Sequence, residues 1–199
     1  MQNTTQNETM TPSVEVGTVK KFWWQSLAFA FGLHLIWEFA QTPFFEESSI
    51  PILRVGWARF HCALADTAIQ TLSFVMIALI VRHPLGPLRK RWLTRAAFIT
   101  LGVLFTAGGE IYHVGWLSTW SYSRLMPRVP VLGIGWVPLL QWIAVPGIWI
   151  YWISRRTPPM GQWPGHWPRQ YVMIALLLIL MIVLWPDLIP MYGPTPVTG

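Results

Sequence analysis

The sequence predicts an all-α fold: an integral membrane bundle of five transmembrane helices, with the N-terminus in the cytoplasm and the C-terminus outside. Three observations lead there. Apolar residues make up 53% of the chain and charged residues 11%, with a mean hydropathy of +0.43, outside the range of ordinary soluble domains. Five apolar stretches reach the roughly 20 residues that a helix needs to cross hydrocarbon. Ten of the 14 Lys and Arg residues fall on one side of that five-span arrangement: Lys20, Lys21, Arg82, Arg89, Lys90, Arg91, Arg95, Arg155, Arg156 and Arg169. Arg54, Arg59, Arg124 and Arg128 fall on the other. The richer side is cytoplasmic by the positive-inside rule. Topology therefore accounts for the net charge of +6, and no nucleic acid is expected as a partner.

Taken in order, residues 1–21 form a polar head rich in Gln, Asn and Thr. The first span, 22–44, lacks a small-residue cleavage site, so a membrane helix is expected rather than a signal peptide. The next spans are 60–82, 94–116 and 131–153. The stretch Thr157 to Pro168 contains too many prolines for a continuous helix and reads as an interfacial loop, with Trp163 and Trp167 at headgroup level and His166 solvated. The fifth span, 171–189, has no polar residue after Tyr171 in its first thirteen positions and reads as a lipid-facing brace. Residues 190–199 form a Pro- and Gly-containing tail. Residues 22–189 are thus one multi-pass domain, placed in a bacterial cytoplasmic membrane. Cys62, the single cysteine, has no thiol partner for a disulfide or zinc site. Pro51 to Trp57 and Pro130 to Trp136 echo one another ahead of the second and fourth spans, through a duplicated helical hairpin or a chance match of common apolar residues.

Six ionisable residues inside these spans point to chemistry: Glu38, Asp66 and Glu110, each accompanied by a histidine, His34, His61 and His113. Such groups are rare in hydrocarbon and usually mark a site, a relay or an ion path. With midpoints near residues 33, 71 and 105, each acid lies about 7–8 Å outward of the midplane at the helical rise of about 1.5 Å per residue. The three therefore share one level in the outer leaflet. His34 lies one turn below Glu38 on the same face, His113 one turn above Glu110, and His61 slightly more than a turn above Asp66. Gln41, Thr42, Thr67, Gln70, Thr106 and Gln141 are in position to satisfy these groups by hydrogen bonds. Interhelical pairing that merely glues the bundle is the structural alternative.

A desolvated carboxyl group favours its neutral form, which suits proton donation, and a neighbouring imidazole suits proton return. The chain has 14 Trp residues. Most are expected in interfacial belts, but Trp37, Trp120, Tyr122 and Trp136 lie near the acids and offer π faces to a cation. Glu38, Asp66, Glu110, His34 and His113 are therefore the candidate catalytic residues. Trp37, Gln41, Trp120, Tyr122, Trp136 and Gln141 are the candidate substrate-binding ones.

Three short segments resemble families. His34-Leu35-Ile36-Trp37-Glu38 resembles the His-x-x-x-Glu stretch of emopamil-binding-type sterol isomerases, which are five-helix membrane proteins. Glu110 followed by Trp120-Ser121-Tyr122, Val129-Pro130 and Trp136 resembles bisanhydrobacterioruberin-type carotenoid hydratases. Trp37-Glu38 with Asp66 is similar to the Trp-Glu helix and partner Asp of small membrane terpene cyclases. What these resemblances jointly imply is an enzyme of acid-initiated, carbocation-type chemistry, whether isomerisation, hydration or cyclisation, on an isoprenoid or other lipid, without a cofactor. Two alternatives use the same residues. One is a first-row divalent metal or haem held by His34, Glu38, His61, Asp66, Glu110 and His113, although the histidines span roughly 10 Å or more in depth. The other is a non-enzymatic membrane subunit or proton path.

Overall fold

The computed structural model describes residues 16–46, 50–83, 85–88, 92–118 and 120–157. All regular structure among them is helical: α1, Val16–Ala40; α2, Ile52–Ile80; α3, Trp92–Glu110; and α4, Trp136–Ser154. A π-helical turn, Ile111–Trp116, continues α3, and short 3-10 turns occupy Thr42–Phe44 and Gly86–Leu88. Three helices, Ile52–Ile80, Trp92–Trp116 and Trp136–Ser154, are long and apolar enough to cross a membrane. The expected fifth span, the 157–168 loop beyond Thr157, the head up to residue 15 and the tail lie outside the described residues.

The helix ends follow proline and glycine chemistry. Pro43 lies in the 3-10 turn that closes α1, so the helix ends at Ala40, four residues before its expected end at 44. Pro51 is the N-cap of α2, where a missing N–H costs nothing. That helix therefore starts at Ile52 rather than at residue 60, and carries Arg54 and Arg59 within it. The fourth helix starts at Trp136 rather than 131, because Val131 (φ 72) and Gly133 (φ 69) adopt left-handed backbone that no helix accommodates. The echo between residues 51–57 and 130–136 is accordingly not structural: the first copy is helix and the second a turn. Pro146 sits inside α4 and removes a hydrogen bond to the Trp142 carbonyl.

The helices pack in the ring order α1, α2, α3, α4, with α4 returning to α1. Toward one end of the bundle, Phe22 and Ala30 of α1 meet Phe74, Ile77 and Ala78 of α2, Phe98 of α3 and Trp149, Ile150 and Ile153 of α4. Trp149 Nε1 donates to the Ser26 carbonyl at 3.1 Å, so the indole brings no unmatched polar group into this apolar layer. Further along the bundle, Trp142 is fully buried and occupies the gap left by Gly102: a Cβ there would lie 1.8 Å from the indole ring. Beyond Trp142 the interior becomes polar.

Candidate functional site

The polar layer is built from all four helices. On α1, residues 34, 38 and 41 share a face by their spacing of four and three, which buries His34, Glu38 and Gln41. On α2, residues 59, 63, 66, 67, 70 and 73 form the corresponding stripe, including Arg59, Asp66 and Gln70. The third helix contributes Glu110 and the fourth Gln141, both buried.

His34 is fully enclosed and bonded at both ring nitrogens. Its Nε2 meets Gln70 Oε1 at 2.9 Å and its Nδ1 meets Gln141 Nε2 at 2.9 Å. The same Gln141 amide nitrogen reaches Asp66 Oδ2 at 2.7 Å. One assignment satisfies all three: the amide donates one hydrogen to Asp66 and one to Nδ1, while Nε2–H donates to Gln70. His34 is then a neutral imidazole that orients Gln141, and its Nδ1 lies 3.9 Å from Asp66 Oδ2.

Glu38 is held from two sides. Gln41 Nε2 donates to Oε1 at 2.6 Å and Arg59 Nη1 to Oε2 at 3.3 Å, with both members of the ion pair buried. Arg59 also lies over the Phe45 ring, 4.6 Å from its centroid. Glu38 and Asp66 stand within electrostatic reach of one another. Arg59 matches the negative charge on Glu38, and the Gln141 amide serves Asp66.

Glu110 is within electrostatic reach of Glu38 and Arg59, and accepts a hydrogen bond from the Tyr122 hydroxyl. The same hydroxyl accepts from the Gly135 N–H at 2.9 Å. Burial, reinforced by the Glu110 carboxyl group, raises the Tyr122 phenol above its ordinary ionisation range, which keeps it a donor. Tyr122 belongs to a cap over this end of the bundle. Phe45, Tyr122 and Met126 form its buried core, with Trp120, Val114 and Val137 packed around them. Backbone bonds from Glu46 N to Ser121 O (2.9 Å) and from Ser123 N to Phe44 O (3.0 Å) tie the two loops together.

The three acids thus occur in one layer, as the depth reckoning expected, but their partners differ from those expected. His34 serves Asp66 through Gln141 rather than Glu38 on its own helix. The chain changes to an i→i+5 turn directly after Glu110, as the bond from Leu117 N to Tyr112 O at 3.0 Å shows, and within it the His113 ring stacks on Trp120 at 4.4 Å. A π-turn of this kind often accompanies a functional site. His61 lies within electrostatic reach of His113. Trp136 supplies its backbone N–H to Pro127 O at 2.8 Å, and the residue is 43% exposed. Cys62 stands within electrostatic reach of Glu38, Asp66, Arg59 and Glu110.

Arg59 is the residue the sequence reading misplaced, having been counted among the outer-loop charges. The available signal was spacing: Arg59 precedes Asp66 by seven residues, two helical turns, and so shares its face. For the metal alternative, no group of three or more His, Cys, Asp or Glu side chains is arranged to hold an ion among the described residues, and both His34 nitrogens are already engaged. No family model, curated protein or solved structure matches the chain.

Proposed function

We propose that this protein is an intramembrane enzyme that protonates a hydrophobic, isoprenoid-type lipid, with Asp66 as proton donor. In this reading all five predicted spans cross the bilayer, the N-terminus is cytoplasmic and the acid layer faces the outer leaflet. The observation that carries it is Asp66, whose carboxyl is held by the Gln141 amide at 2.7 Å, beside a Glu38 carboxylate paired with the buried Arg59 guanidinium. Before reaction, one carboxylate, one neutral carboxyl and one guanidinium sum to zero. Transfer of the Asp66 proton to an alkene carbon breaks the O–H bond, forms a C–H bond and leaves a cation on the adjacent carbon. The pair then holds two carboxylates against one guanidinium, and this net negative charge offsets the new positive one in a water-poor site.

The other residues support that step. Gln141, oriented by His34, holds the Asp66 carboxyl; His34 is thus a positioning residue rather than the acid-base partner. Glu110, bonded to Tyr122, is the second negative group facing the cation, and Trp37 and Trp120 supply π faces. Loss of a proton from the carbon next to the cation to a carboxylate completes an isomerisation; attack by an internal double bond moves the cation to a ring carbon, and attack by water gives an oxonium, and in each case proton loss to a carboxylate completes the cyclisation or hydration.

The test is deuterium incorporation. Membranes containing the protein are incubated in D2O with the lipid extract of the native membrane, and products are read by mass spectrometry. Wild type is expected to introduce a carbon-bound deuterium into an isoprenoid lipid, and Asp66→Asn and Glu110→Gln to abolish this while remaining inserted and folded. Undiminished incorporation by Asp66→Asn would overturn the proposal.

A further inference from the structure

The acid layer contains enclosed polar atoms with no partner among the described residues. Gln41 is 4% exposed; its Nε2 donates to Glu38 at 2.6 Å, and its Oε1 is enclosed without a donor. One turn earlier on α1, Trp37 Nε1 is enclosed without an acceptor. Residues four apart occupy the same helix face, and the Gln41 backbone N–H bonds to the Trp37 carbonyl at 2.9 Å, so the helical turn between them is intact. Across the layer, Thr106 Oγ1, one turn before Glu110, is enclosed in the same way. An enclosed donor or acceptor left unmatched is costly, so a matched group is strongly preferred in its place.

A hydroxyl group answers the α1 pair, because its oxygen accepts from the indole N–H while its hydrogen is donated to the amide carbonyl. An ether or ketone would satisfy Trp37 and leave Gln41 Oε1 unmatched. A hydrocarbon would satisfy neither. A carboxylate or phosphate would set a negative charge beside Glu38. We infer that the site takes an alcohol, an apolar isoprenoid-like molecule bearing a hydroxyl group that Trp37 Nε1 and Gln41 Oε1 hold one turn from the Glu38–Asp66 carboxyl pair. This rests on the proposed function for the chemistry at that pair, but hydroxyl recognition is measurable without turnover.

The experiment is competition binding to the purified full chain in lipid nanodiscs, with tritiated geranylgeraniol as probe and empty nanodiscs as background. Saturable binding is expected, with the methyl ether of geranylgeraniol competing about tenfold less well than the alcohol, the loss of one matched hydrogen bond, and the hydrocarbon lacking oxygen weaker again. Gln41→Leu is expected to bring alcohol and ether within about twofold of each other. Trp37→Phe, which keeps an aromatic ring and removes the N–H, is expected to bring ether and hydrocarbon together. Absence of saturable probe binding, equal competition by the hydrocarbon, or full preference retained in both variants when they elute as folded, monodisperse protein would overturn the inference. Asp66→Asn separates the two claims: it should bind the alcohol as wild type does. Selective binding together with undiminished turnover in Asp66→Asn would defeat the proton-donor assignment and leave the alcohol site standing.

Discussion

Replacing Arg59 by methionine tests whether the Arg59–Glu38 pair is a buried charge pair that organises the site. At 3.3 Å and an effective dielectric of about 20, the Coulomb attraction is about 5 kcal/mol. Part of this is cancelled by the desolvation of both ions, so the pair's net value is smaller than its attraction. Removing one partner differs from removing both, because Glu38 would keep its buried position and only the Gln41 bond at 2.6 Å. Stranding a buried charge in this way costs about 3–5 kcal/mol, against about 0–1 kcal/mol for an exposed pair. Methionine fills a similar volume, which keeps cavity formation from dominating. The assay is unfolding in mixed dodecyl maltoside and dodecyl sulfate micelles, followed by helical circular dichroism. Arg59→Met is expected to lose about 3 kcal/mol or more, and the double variant Arg59→Met with Glu38→Gln to recover about 2 kcal/mol of that loss, since no charge is then stranded. A single-variant loss under about 1 kcal/mol, or a double variant no more stable than Arg59→Met, would refute the reasoning.

Two further predictions concern the layers on either side. Gly102→Ala places a Cβ 1.8 Å from the Trp142 ring and should destabilise the protein by about 1–3 kcal/mol through overpacking; Gly108→Ala, with nothing within 4 Å, is the matched control, and equal melting temperatures for the two would disprove the close fit. Tyr122→Phe removes the donor to Glu110 and the acceptor for Gly135 N–H, and should cost about 1–3 kcal/mol. Because the folded protein raises the Tyr122 phenol above an unfolded value of about 10, its contribution is fully present below about pH 10 and is lost as pH rises beyond it. Absorbance titration near 295 nm, a wavelength at which tyrosinate absorbs, should show a late-ionising component in wild type that Tyr122→Phe lacks. A wild-type titration complete by about pH 10.5 would contradict this.

Much of the site was readable from residue spacing. Glu38, Asp66 and Glu110 emerge at one level because helical rise is constant and the spans alternate in direction, and Gln141 was recognisable as a polar residue in an otherwise apolar span. Partner choice was not readable. His34 is four residues from Glu38 and so shares its helix face, yet its ring reaches across to Gln70 and Gln141, because side chains on facing helices can approach as closely as those one turn apart. Arg59 looked like a loop charge only while α2 was taken to begin at residue 60; the Pro51 cap carries the helix eight residues further back and brings the guanidinium to Glu38. The stacking of His113 on Trp120 was not readable either, since an i→i+5 turn breaks the periodicity on which any face assignment depends.

From the sequence alone came the apolar, helical character of the chain and the axial position of every acid, because hydropathy, proline placement and a fixed rise per residue are local properties. Tertiary structure decided which groups touch: the guanidinium beside Glu38, the Gln141 amide between His34 and Asp66, and the Tyr122 cap over Glu110. Those contacts depend on the rotation of each helix about its own axis and on how the loops fold over the bundle end, and both are set by packing between segments distant in the chain, such as Trp142 seated against Gly102.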